Sequence, residues 1–144
     1  LDVYTHMVGI DNKALHIVKR DKEYMGEREV ADVYINVVQK DLIKHGDENI
    51  LQEISHVIGV QPDHPDRTSN IDDLLSYAVN NKYDDLFTVD SKGTRNGAVR
   101  IVKKEFVLSG TMSRRVGSFL DNCTNIHSEQ DIIDAGINIQ NLNK

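Results

Sequence analysis

Seven basic side chains fall within residues 92–115, namely Lys92, Arg95, Arg100, Lys103, Lys104, Arg114 and Arg115, against the single acid Glu105. Cations at that density can follow a phosphate chain, where each contact releases a counterion, or meet an acidic protein surface by complementary charge. The same sequence supplies such a surface. Residues 47–91 hold ten acids against Arg67 and Lys82, with Asp72-Asp73 and Asp84-Asp85 forming its densest pairs. The formal charge of -6 for the whole chain therefore conceals a basic segment beside an acidic one. These two groups are the candidate contact residues: Lys92, Arg95, Arg100, Lys103, Lys104, Arg114 and Arg115 for a partner or nucleic acid, and Asp72, Asp73, Asp84 and Asp85 for an acidic partner face.

Other patterns carry enough chemistry to be weighed. Pro65-Asp66 and Asp90-Ser91-Lys92 satisfy the letters of the PD-(D/E)xK phosphodiesterases, in which two carboxylates hold a divalent cation while a lysine steadies the attacking water. Asp66 lies in a proline-bearing loop and Asp90 at a turn, however, where Asp, Ser and Lys are ordinary residues. His45, His56 and His64, with Asp63 and Asp66 nearby, are metal-ligating types, but their spacings of eleven and eight place no two on one helical turn. Val8-Gly9-Ile10-Asp11-Asn12 is similar to the first strand and metal-binding Asp of ribonuclease-H-like enzymes. A hairpin turn explains the same residues, and the further acids cannot be placed. Cys123 has no His at a recognisable spacing, and Ser109-Gly110 lacks a nucleophile elbow. Gly93-Thr94-Arg95-Asn96-Gly97 precedes a strand and not a helix N-terminus, so it is no phosphate loop. The sequence thus points to no catalytic residue, no metal site and no cofactor, and the chain is read as non-enzymatic.

Positioning these charges requires a scaffold, and the periodicities outline one. Residues 3–10 and 14–18 alternate around Asp11-Asn12-Lys13, which predicts an N-terminal β-hairpin. Val30, Val33, Tyr34, Val37, Val38 and Leu42 fall at helical intervals up to Gly46; Ile50, Leu51, Ile54, Val57 and Ile58 continue such a stripe to Gly59. Pro62 and Pro65 impose a loop. Ser69 or Asn70 caps a third helix whose buried face is Ile71, Leu74, Leu75, Ala78 and Val79. The runs 86–89 and 98–102 flank a Gly-rich tip and predict a basic hairpin, with the second arm extending through Phe106, Val107 and Leu108. Alternation along that arm sets Arg100 and Lys104 on one face and Lys103 on the other. Val116 to Leu120 fits either strand or helix. Ser128 caps a short helix over 129–135 closed by Gly136, after which residues 137–144 are too polar to fold unaided.

The expected architecture is α+β: an N-terminal hairpin, two to three packed helices, a basic C-terminal hairpin and a short terminal helix. With 144 residues the chain fits a single domain, 1–144. Apolar runs are too short for a membrane span, and one cysteine excludes an internal disulfide framework. The first residue is Leu1, which points to a processed or excised chain, with cytoplasm or virion as the default location. The functional expectation is an interaction or assembly subunit that binds a protein partner or itself through complementary charge. Richness in Asn, Asp, Ile and Lys suits a low-GC genome, and a phage or viral structural or accessory protein is the expected kind of subunit. The alternative is a winged-helix-like nucleic-acid-binding domain that uses the basic hairpin, although the helix that would enter the groove carries Asp72 and Asp73.

Overall fold

Val57 and Ile58 end an apolar stripe at helical spacing, yet both are β-branched, as is Val60 beyond Gly59, and such residues favour a strand. In the computed structural model, which describes residues 52–144 as a compact unit, His56–Val60 is indeed strand β1. The helical reading is thereby corrected for His56–Val60. The predicted N-terminal hairpin and the helix ending at Gly46 lie outside the described residues, as does the part of the single-domain reading that covers residues 1–51.

After the Pro62/Pro65 loop, Ile71–Asn80 forms helix α1. Asn70 caps it by accepting the Asp72 N–H at 2.8 Å, and Asp72 and Asp73 sit in the first turn, where carboxylates oppose the positive end of the helix dipole. The helix closes on Lys82, whose φ of 58° is a left-handed conformation more usual for glycine. The Lys82 and Tyr83 N–H groups donate to the carbonyls of Val79 and Ala78, at 3.1 and 2.9 Å.

Asp85–Val89 (β2) and Arg95–Lys103 (β3) form the expected hairpin. Asp90 braces its turn, accepting the N–H groups of Lys92 and Thr94 on Oδ1, both at 2.9 Å. The predicted continuation of the second arm does not occur: Lys104–Ser109 is helix α2, ended by Gly110 at φ 65°. Residues 104–108 contain no β-branched residue but Val107, and the glycine supplies a left-handed stop. Val116–Leu120 resolves as strand β4, and Glu129–Leu142 as helix α3. The predicted end of that last helix at Gly136 is also corrected. It runs on through Gly136 to Leu142, since a single interior glycine weakens a helix without ending it.

The four strands form one mixed sheet in the order β1-β3-β2-β4, antiparallel except for the parallel pair β2 and β4. Cross-strand partners share a face. Ile58, Ile101 and Leu86 are in register with one another and with Gly117, and this face packs on α1, joining Leu74, Ala78 and Val99 in the core. Tyr77 meets Phe119 edge to face at 5.3 Å between ring centroids. Gly117 is required beneath Tyr83, because a Cβ there would run into the ring. The α+β class is therefore shown, with this sheet and three helices among the described residues.

Candidate partner-binding surface

The opposite face of the sheet follows from the same register. Asp85 stands between Val102 and Val116, and Phe87 between Arg100 and Ser118, so charged, polar and apolar side chains alternate across it. Among the described residues Val116, Ser118 and Leu120 remain exposed there. The Arg95 guanidinium lies over the Phe87 ring, 3.7 Å from its centroid, an attraction between cation and ring quadrupole.

The basic segment does not gather into one patch. Lys92 and Arg95 are exposed at the turn end of the β2–β3 hairpin. Arg114 and Arg115 precede β4, which runs parallel to β2, and so lie at the other end with Lys103 and Lys104. Among the described residues, three of the seven cations are held in ion pairs. Arg100 makes a bidentate pair with Asp85, at 3.0 and 2.7 Å. Lys103 Nζ lies 2.6 Å from Asp84 Oδ1, and Arg115 donates to both Asp84 oxygens at 3.0 and 3.2 Å. Lys104 Nζ reaches the Gln52 carbonyl at 3.5 Å from the start of α2, so it does not share a strand face with Arg100 as alternation predicts.

The acidic residues divide accordingly. Asp72 and Asp73 are exposed on α1, whereas Asp84 is only 2% exposed and Asp85 is half-buried against Arg100. The Asp84 carboxyl is held down at about 2 by hydrogen bonds from Lys103 and Ser113, which together with Arg115 outweigh burial. In this fold Asp84 is a structural anchor, since its backbone also joins the strands: its N–H donates to the Arg115 carbonyl at 2.8 Å and its carbonyl accepts from Lys103.

Two more buried carboxylates brace loops. Asp121, directly after β4, accepts from the Thr68 N–H and hydroxyl at 3.2 Å and from the Ser69 N–H at 2.9 Å. Asp66 accepts from the Thr124 N–H and hydroxyl and from the Asn138 amide. Burial raises the Asp66 carboxyl, but the Asn138 and Thr124 hydrogen bonds overcome it and leave the group below its ordinary value. A polar cleft of about 290 Å³ lies beside Asp66, lined also by Thr68, Asn122, Asn138, Asn141 and Leu142. Its carboxylate is already occupied by three donors.

The remaining candidates can be placed. Asp90 and Lys92 belong to the hairpin turn, while Asp66 is tied to Thr124 and Asn138, so the PD-(D/E)xK letters serve two separate structural tasks. His64 is buried with Nδ1 2.9 Å from Asp63 Oδ1 but without hydrogen-bond geometry, and its Nε2 has no hydrogen-bond partner among the described residues. His56 accompanies Ser55 at 2.8 Å, and burial followed by the Lys103 charge lowers its pKa. His45 and Asp11 lie outside the described residues. No group of three His, Cys, Asp or Glu side chains among the described residues is arranged to hold a metal ion. Burial, reinforced by the Asp121 and Asp66 charges, pushes the Cys123 thiol to about 11, which keeps it protonated at neutral pH. No helix among the described residues is long and apolar enough to cross a membrane.

The chain matches no known family model, and comparison with curated proteins finds no relative. Sequence reasoning found the cations but missed Phe87, Val116 and Leu120. The alternation of Val116, Ser118 and Leu120 was the available signal for an open sheet face.

Proposed function

We propose that the chain is a non-enzymatic interaction or assembly subunit, and that exposed cations of residues 92–115 meet an acidic protein surface, including Asp72 and Asp73 of another copy. The observation that carries this reading is the sheet face turned away from α1. It presents Arg95 stacked on Phe87, beside exposed Val116, Ser118 and Leu120. Mixed apolar and cationic surfaces suit protein contacts, where aromatic and Arg side chains concentrate binding energy. Lys92 and Arg114, also exposed, extend the positive field to the two ends of the sheet.

Reversing Lys92, Arg95 and Arg114 to Glu tests the proposal, because these residues make no ion pair within the described fold and their loss spares the Asp84 and Asp85 anchors. Association should weaken sharply, and Asp72→Lys with Asp73→Lys should restore it in the reversed background. Binding to single- or double-stranded nucleic acid that is lost on reversal and not restored by the acidic changes would replace this reading with the nucleic-acid one.

A further inference from the structure

Helix α3 carries an apolar face that nothing among the described residues covers. Ile132, Ile133 and Ile137 are each more than half exposed, and with a period of 3.6 residues they share an arc with Gly136. Ala135, about 100° round the helix from Gly136, is the residue that packs inward, with Ile139 one turn further along on that side. Gly136 adds an independent observation. A glycine in a helix interior is unfavourable relative to alanine, and it persists where something must approach the backbone closely. Inside the described molecule nothing does: a Cβ at Gly136 would meet no atom within 4 Å.

We infer that α3 packs antiparallel against α3 of a second copy, with the helices crossing at Gly136. Charge chooses both the occupant and the direction. Glu129, Asp131 and Asp134 all fall in the first half of the helix, and the one base of this stretch, Lys144, follows its end. Parallel pairing would set acids on acids. Antiparallel pairing centred between Gly136 and Ile137 brings Glu129 opposite Lys144 of the second copy, aligns the helix dipoles favourably, and seats Ile133 and Ile137 beside the partner glycine. The contact is apolar at its centre and is separate from the charged contact proposed above. It therefore persists in high salt, where the charged contact dissolves.

Register provides the test. The same centring places Ile133 opposite Gln140, so full-length chains carrying Ile133→Cys and Gln140→Cys, both on a Cys123→Ser background, should form a mixed disulfide dimer on oxidation. Neither variant alone should cross-link efficiently. Sedimentation of the unmodified chain in 0.5 M salt should show a dimer, with Ile133→Asp raising its dissociation constant by at least roughly 30-fold. Glu129→Lys should weaken the dimer, and adding Lys144→Glu should recover it. A chain that stays monomeric in high salt at all concentrations, a dimer indifferent to Ile133→Asp, or efficient cross-linking of Ile133→Cys to itself would overturn the inference. Failure of the salt-sensitive association alone would count against the charged contact and leave this one standing.

Discussion

Helices α1 and α3 are built to the same plan and meet opposite fates. Each follows a strand and a loop, and each opens on a side-chain cap, Asn70 in one and Ser128 in a capping box with Asp131 in the other. Four, five and eight residues past the cap come Leu74, Leu75 and Ala78 in α1 and Ile132, Ile133 and Gly136 in α3. Leu74 is 1% exposed and Ile132 57%. Local sequence thus determines that a helix forms and which face is apolar, whereas the surface that covers that face is a tertiary matter.

The sharpest way to break this comparison is to truncate both helices at the matching position. Leu74→Ala removes a fully buried side chain under the sheet and should cost about 2–5 kcal/mol in denaturant unfolding. Ile132→Ala, measured at concentrations where the chain is monomeric, should stay within about 0.5 kcal/mol of the parent. Equal losses would mean that α3 is covered in the monomer and that the two helices are not different after all.

A second contrast lies between glycines. Gly117→Ala forces a methyl against Tyr83 and should destabilise by roughly 1–3 kcal/mol, as overpacking does. Gly136→Ala meets open space and should stabilise the monomeric helix by about 0.5–1 kcal/mol, while weakening any close helix crossing. Thermal melts at two protein concentrations separate these effects.

The caps should behave alike in both helices, since capping is local. Asn70→Ala and Ser128→Ala are each expected to cost about 0.5–2 kcal/mol. Lys82→Gly, at the left-handed close of α1, should be mildly stabilising, by up to about 1 kcal/mol. The Asp84 anchor adds a pH dependence. Its pKa is depressed in the folded chain, so its contribution is complete above the ordinary carboxylate range and fades as pH falls from about 4 toward about 2. A melting series across that range should show a drop that Asp84→Asn flattens.

Much of the scaffold was legible because its signals are local. Ser69-Asn70 and Ser128 announced their helices, of which the structure selects Asn70 as the first cap, and the glycines of residues 93–97 announced a hairpin turn. What failed was decided by pairing. The β-branched residues of 56–60 and the scarcity of such residues in 104–108 are weak local signals, and neither reports that β3 waits alongside β1 or that its ladder ends at Lys103. The candidate site was half legible in the same sense. Counting charges locates a basic segment along the chain, but only the folded structure shows that Arg100, Lys103 and Arg115 are committed to Asp85 and Asp84, which leaves Lys92, Arg95 and Arg114 exposed without an ion pair among the described residues. An acidic pair next to a basic run can describe an internal clasp as well as an interface, and the distances of 2.6–3.2 Å around Asp84 show the clasp.

Light scattering of the full chain across a salt series, with and without an added oligonucleotide, addresses the central claim most directly. Assembly through complementary charge predicts a mass above that of a dimer at low salt, falling toward the dimer as ionic strength rises, with no response to nucleic acid. A mass that is independent of salt, or one that changes only when the oligonucleotide is present, would contradict it.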